Sequence, residues 1–338
     1  MKNVRPSVCW EKRWILRTVL TGAVYVIALR VALPALSFQT PKPVDSAEAR
    51  ALRFLTREVP AWLPQNGCFS CHNNGDGARA LYLATRKGKT VPAEVLTATT
   101  NWLREPKRWD DNKGDPGFSD KRLANVQFAA SLLSAVEAGL VRDVAPVSEA
   151  ARKLIADQER DGTWKIDAGN TVGSPATWGT PLATWMALRV LQAANLPEGK
   201  SSAQRARQWL QEMKTVNVSA AATWLLAFGT DAAEKDSSKR KACLQLLQRA
   251  QTRDGGWGPY ADAPPEVFDT ALALLAFASL GQQTDAAESI KRGRAFLLAQ
   301  QNDDGSWPAT TRPSGGDSYA QMMSTTAWAL QALLETQP

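Results

Sequence analysis

"QNDDGSW", residues 301–307, repeats a pattern found twice more in the chain, as "QERDGTW" at 158–164 and "QTRDGGW" at 251–257. All three read Gln-x-x-Asp-Gly-x-Trp. Each follows an amphipathic stretch, "SEAARKLIAD", "SKRKACLQLLQRA" and "AESIKRGRAFLLAQ", in which Leu154 with Ile155, Leu246 with Leu247, and Phe296 with Leu297 mark an apolar face at helical spacing. Asp-Gly is turn chemistry and is expected to end each of these helices. A far more apolar stretch comes next: "TPLATWMALRVLQAA" (180–194), "FDTALALLAFASLG" (268–281) and "MSTTAWALQALLE" (323–335). A helix apolar on nearly every face must be buried. The unit is therefore an outer amphipathic helix, a turn and an inner buried helix.

Degenerate copies extend the series. "SAQRARQWLQEM" precedes "AAATWLLAFG", "PAEVLTATTNWLRE" precedes "RLANVQFAASLLSAVEAGL", and "SAEARALRFLTREV" precedes "ARALYLATRKG". A repeat of this length signals a repeat architecture, and six outer–inner pairs can close into a ring. The expected fold is all-α, an (α/α)6 toroid over residues 45–338 with its inner helices around a central cavity.

The three Gln-x-x-Asp-Gly-x-Trp segments resemble the QW motifs of the squalene cyclase and protein prenyltransferase β-subunit superfamily. "QNDDGSW" followed by "STTAWALQALL" is similar to the C-terminal end of squalene–hopene cyclases. The resemblance covers roughly residues 148–336 by motif, and 47–140 by helix pattern alone. It implies that Gln158 with Trp164, Gln251 with Trp257, and Gln301 with Trp307 are scaffold, tying outer helices to their neighbours.

Squalene–hopene cyclases begin catalysis with an Asp-x-Asp-Asp-Thr-Ala segment whose central Asp protonates an alkene. Here that stretch is "EVFDTA": Glu266 stands for the first Asp, Phe268 for the proton donor, and Asp269 retains the last. Asp269 and Glu266 are the catalytic candidates that the resemblance leaves for a terpenoid-type cyclase or isomerase. Alternatively, an Asp before a Thr-Ala helical run is an N-cap. The prenyltransferase zinc set of Asp, Cys and His on inner helices is not matched. Carbohydrate-active toroids need paired carboxylates facing the cavity; Asp167, Asp262, Asp269 and Asp317 precede or open inner helices and are equally explained as turn formers or caps.

The first repeat carries "GCFSCHNN" (67–74) where later repeats carry the QW turn. Its Cys68-x-x-Cys71-His72 triplet uses the chain's only histidine and matches the c-type haem attachment motif, two thioethers plus an iron ligand. A Cys68–Cys71 disulfide or redox pair, a zinc site short of a fourth ligand, and chance are the competing readings. If haem is bound, Met322 and Met323 are the candidates for a sixth ligand, because closing a six-membered ring sets the last repeat beside the first; packing at the top of an inner helix explains them equally. Loops bearing Trp178, Tyr260 and Tyr319 are expected to form a rim around the mouth.

Residues 1–37 read as a targeting segment: a basic start, the uncharged run "TVLTGAVYVIAL", and small residues Ala35 and Ser37 suited to cleavage. A cleaved signal peptide and an uncleaved membrane anchor both stay open, and both place the body outside the cytoplasm, in the periplasm or an equivalent compartment. The chain holds 40 Lys and Arg against 33 Asp and Glu, net +7. Residues 1–37 contribute six and one of these, leaving 34 against 32. The basic excess is thus mostly a targeting feature and gives no ground for nucleic-acid binding. The expected function is redox or ligand binding on a haem-bearing toroid. Its expected partners are an apolar or isoprenoid-like molecule, a redox protein, and the membrane where the N-terminus is uncleaved. A haem-free binding scaffold and the terpenoid enzyme are the alternatives, and whether the chain is an enzyme is left open.

Overall fold

The computed structural model describes residues 45–338 apart from 114–119, 167–171, 232, 234–236, 282–285, 311, 313–317 and 338. Residues 1–37, read above as a targeting segment, lie outside the described residues, as do Asp167 and Asp317. The described residues form twelve α-helices and no strand. The outer helices are α1 (Ala47–Asn66), α3 (Ala93–Leu103), α5 (Ala145–Asp157), α7 (Lys200–Glu212), α9 (Ser238–Ala250) and α11 (Ala287–Gln300). The inner ones are α2 (Ala78–Arg86), α4 (Lys121–Glu137), α6 (Thr180–Ala194), α8 (Val218–Phe228), α10 (Val267–Ser279) and α12 (Tyr319–Glu335).

Each inner helix packs on the next, and α12 returns to α2, so the ring is closed. The six inner–outer pairs are those marked by the hydrophobic pattern, including the three degenerate copies. The inner helices are apolar because they touch protein on every side: all but three residues of α10 are buried.

The QW turns explain the lateral order. Each outer helix ends just before its Gln, which is already extended; the Asp-Gly pair forms the turn that follows rather than the helix cap. In the third turn Gly305 has φ +92°, and a Cβ there would lie 2.3 Å from the Arg50 carbonyl oxygen, so only glycine fits. Each Gln side chain donates both to its own turn and to the start of the next outer helix. Gln158 donates to Gly162 O (3.0 Å) and Ser202 O (2.9 Å), and Gln251 to Gly255 O (2.8 Å) and Ser289 O (2.9 Å). Gln301 donates to Gly305 O (3.0 Å) and to Ala47 O (2.9 Å), which joins the last outer helix to the first. Each Trp is fully buried and donates its indole N–H back to its own outer helix: Trp164 to Leu154 O, Trp257 to Leu247 O and Trp307 to Leu297 O, at 2.7–2.9 Å. A threonine of the inner helix meets each Trp backbone N–H: Thr184, Thr270 and Thr326.

Candidate functional site

The slot between α1 and α2 is built differently. Helix α1 runs through Pro60 and Pro64 and stops at Gly67, whose φ of +68° and N–H bond to Leu63 O form a left-handed cap. Ser70 caps the next turn, accepting from His72 N and Asn73 N. Residues Cys71–Gly77 form a π-helical turn that runs straight into α2, where the sequence suggests a loop. Glycine at 75 and 77 lets this turn press onto its neighbours: added Cβ atoms would lie 3.3 Å from Gln127 Cβ and 2.9 Å from Val59 Cγ2. Asn73 donates to Tyr319 Oη (2.8 Å) and Glu58 O (3.1 Å), Asn74 to Thr99 Oγ1 (2.8 Å), and Asn112 holds both backbone polar groups of Phe69. The wide turn is therefore fixed from four sides.

Cys68, Cys71 and His72 line one mouth cavity of about 890 Å³ at the N-terminal ends of α4 and α12. Its walls are strongly aromatic. Phe69 stacks on Trp102, Trp102 meets Phe128 edge-on, Phe128 packs beside Trp109, and Trp62 stacks on Tyr319. Two buried donors on this lining, Trp62 Nε1 and Trp109 Nε1, have no acceptor among the described residues. The two lining carboxylates are engaged elsewhere: Asp110 with Lys153, and Asp120 as the N-cap of α4.

Beneath the cavity lies a relay invisible in the sequence. His72 Nδ1 is 3.0 Å from Ser324 Oγ, which is 2.7 Å from Asp76 Oδ2. Ser324 has one hydroxyl proton. When Asp76 is ionised that proton points to the carboxylate, so Nδ1 must carry the hydrogen of the neutral imidazole and Nε2 keeps the free lone pair. Burial pushes Asp76 up to about 6, against the pull of Arg79, Ser324, Trp178 and Gln127. Burial likewise pushes His72 down to about 4. It pushes the Cys71 thiol up to about 12, with the Asp76 charge adding to it. Asp76 also receives Gln127 Nε2 (3.0 Å) and Trp178 Nε1 (3.2 Å), with Arg79 Nη2 at 3.4 Å. Arg79 lies over the rings of both Trp328 and Trp178, 4.1 and 5.1 Å from their centroids, and the two indoles meet each other edge-on. This plug fills the axis of the ring below the mouth. Trp178, expected at the rim, is 1% exposed and belongs to the plug: its backbone is left-handed (φ +61°) just before α6, and its indole N–H reaches inward to Asp76. Tyr260 is exposed, and Tyr319 does line the mouth.

The other predicted residues fall elsewhere. Met323 is fully buried against Gly77 and Met322 packs partly buried on the core; neither lines the mouth cavity among the described residues. Asp269 is not an N-cap: α10 begins at Val267 with Glu266 in the cap position. Its carboxylate instead accepts from Ser219 Oγ and Arg312 Nη1, both at 2.8 Å, and Arg312 also holds Glu266 at 2.9 Å. Burial raises Asp269, and Arg312 opposes the rise. Neither carboxylate lines the mouth cavity, and Asp262 is exposed. Cys68 and Cys71 are free thiols, and no group of three or more His, Cys, Asp or Glu among the described residues is arranged to hold a metal ion. The zinc reading thus finds no ligand set here. No helix among the described residues is long and apolar enough to cross a membrane.

Residues 213–337 match the squalene-hopene cyclase C-terminal domain family. The match takes in α8 to α12, two of the three QW turns, and both Glu266 and Asp269, and it supports the squalene cyclase superfamily for this toroid. Lanosterol synthase of Aspergillus fumigatus is 28% identical over 131 residues, 37% of this chain and 17% of the relative. That of Saccharomyces cerevisiae is 26% identical over 106 residues, 30% and 14%. The matched stretches span less than a fifth of these curated relatives. Among solved structures, an unsaturated glucuronyl hydrolase specific for heparin superposes with a TM-score of 0.59 at 12% identity, over 86% of this chain and 95% of the other. A glycosidase in complex with glucose gives 0.55 at 16%, over 87% and 99%. A type II terpene cyclase from Scytonema, in complex with its substrate geranylgeranyl dihydroxybenzoate, gives 0.53 at 15%, over 86% and 97%. At such identities the likeness is one of fold.

Proposed function

We propose that this squalene-cyclase-like toroid carries a covalently attached haem in its mouth cavity, held by Cys68 and Cys71 with His72 on the iron, and acts outside the cytoplasm in redox or ligand binding of an apolar, isoprenoid-like molecule. The observation that carries this reading is the His72–Ser324–Asp76 relay. It fixes the ring through Nδ1 and leaves Nε2 as the donor atom, the arrangement that orients and strengthens a histidine ligand. The cavity supports it in two further ways. Its volume suits a cofactor, and the orphaned indole N–H groups of Trp62 and Trp109 match the carboxylate acceptors that a haem carries. Bound there, haem would supply one-electron transfer or ligand binding at iron. The chain's own part is to hold the two thiols, orient the imidazole and keep one face of the site dry with aromatic rings.

The test is expression with c-haem maturation machinery. The expected product is coloured, with a reduced α-band that survives denaturation because the link is covalent. His72→Ala should keep the colour and lose the native iron-ligand spectrum. A colourless product would sink the haem reading and leave a haem-free binding scaffold.

The family match and the terpene-cyclase neighbours favour a second reading, a terpenoid-type cyclase or isomerase using Asp269 or Glu266. A carboxyl in a dry site with raised affinity for its proton is what alkene protonation needs, and Asp269 is fully buried. Arg312, which holds both carboxylates, opposes that role. Asp269→Asn separates the two: abolished turnover of a polyprenyl substrate with an unchanged fold would establish the enzyme, whereas lost stability alone would assign Asp269 to the scaffold.

A further inference from the structure

At the end of the ring opposite the mouth, the C-terminal halves of all six inner helices enclose a second cavity of about 250 Å³. Leu83, Met186, Leu226 and Leu275 give it apolar walls, with the rings of Trp185 and Trp328. Its inner end is Arg79, only 3% exposed. This guanidinium is poorly met among the described residues: Asp76 is 3.4 Å from Nη2, Met186 Sδ is 3.7 Å from Nη1, and Nε has no acceptor. Asp76 itself already receives three other donors. Trp328 Nε1, on the same lining, is buried without an acceptor as well. Unmet buried donors of this kind are costly, which is why native structures normally supply a partner.

We propose that this cavity binds a small carboxylate with an apolar body, its oxygens taken by Arg79 and the Trp328 indole. Charge selects the class. The rim cations Arg86 and Arg189 are already neutralised, Arg86 by Glu137 (3.1 Å) and Glu335 (2.9 Å), and Arg189 by Glu137 (2.6 Å). With the rim charges paired off and Asp76 beside Arg79, no surplus positive charge is left to hold a dianion, so one delocalised negative charge suits the site and a phosphate does not. Size selects further. At roughly 30 Å³ per liquid water, the volume equals about eight waters, enough for one ring with its carboxylate and too little for a polyprenyl chain. The site is separated from the mouth by the Asp76–Arg79–Trp178 plug, so its occupancy does not depend on what Cys68 and Cys71 carry.

The full-length protein titrated calorimetrically with benzoate, and in parallel with benzamide and inorganic phosphate, tests this. One benzoate per chain is expected, with benzamide and phosphate far weaker. Arg79→Met should weaken benzoate roughly 10–100-fold, the range for hydrogen bonds to a charged group. Because that change touches the core, Ala278→Trp serves as the second variant: Ala278 is a half-buried lining residue near the end of α10, and the indole should fill the cavity and block binding without disturbing the plug. Absence of benzoate binding at millimolar concentration, equal binding of benzamide, tighter binding of phosphate, or binding that survives Ala278→Trp would each overturn the assignment, the first leaving the donors to water alone.

Discussion

The slot between outer and inner helix is filled in two ways in one ring. In the QW turns the side chains meet the protein: each Gln bridges two outer helices, each Trp donates to a carbonyl ten residues upstream, and each Asp-Gly forms a tight turn. In the first slot the same position holds a π-helical turn that is pinned from behind by Asn73, Asn74 and Asn112, while Cys68, Cys71 and His72 face a cavity ringed by indoles without acceptors. A turn that satisfies itself is a fastener. A turn whose backbone is over-determined while its chemistry is left open is the arrangement expected of a binding site.

Removing a fastener should have the largest effect. Trp257→Ala deletes a fully buried ring and its hydrogen bond and should lower stability by about 3–5 kcal/mol in chemical denaturation. At the same time, the spectrum of any chromophore bound at the mouth should stay unchanged. A comparable spectral change would break the distinction between the two kinds of turn.

Asp76 sharpens the comparison from the other side. Its folded value of about 6 lies above the unfolded one near 3.9. Its contribution is therefore fully present below the unfolded value and is lost as pH rises through about 6. Wild type should lose on the order of 3 kcal/mol between about pH 3 and pH 7 relative to Asp76→Asn. Parallel stability–pH curves for the two proteins would show that the carboxyl does not titrate in this window.

The smallest effects distinguish the two slots by their glycines. Gly305→Ala puts a Cβ 2.3 Å from the Arg50 carbonyl oxygen and should cost more than Gly67→Ala, where nothing lies within 4 Å and only the left-handed backbone is penalised. That penalty is about 1–2 kcal/mol. Equal losses in melting experiments would mean that the QW turn yields more readily than its packing implies.

The fasteners were legible because their bonds are local: Gln to the carbonyl four residues on, Trp to the carbonyl ten residues back, at fixed spacing in three copies. The helix pairs were legible from apolar content alone. The Cys-x-x-Cys-His triplet was legible as a motif, but its surroundings were not, since Ser324 lies 248 residues from Asp76 and Arg79 meets Trp328 only across the closed ring. The clue within reach was Asp76 itself, an acid four residues after the sole histidine and flanked by glycines. Asp269 misled because helix α10 starts three residues earlier than the Asp-Thr-Ala signal implies, which moves the carboxylate from a cap into an ion pair with a loop arginine. Trp178 misled because a loop position was read as exposed when its backbone turns the ring inward.

The bond from Gln301 to the Ala47 carbonyl has a consequence for assembly. The equivalent bonds of Gln158 and Gln251 span 44 and 38 residues, whereas this one spans 254. Bringing such distant ends together from a flexible chain costs about 2 kcal/mol more than closing a 38-residue loop. Of these three joints, the one between the last outer helix and the first thus carries the largest loop-closure cost. Until it closes, α12 is not seated against the π-turn, and Ser324 is not beneath His72. The hydrogen bond that orients the imidazole thus joins the first repeat to the last and exists only in the closed ring.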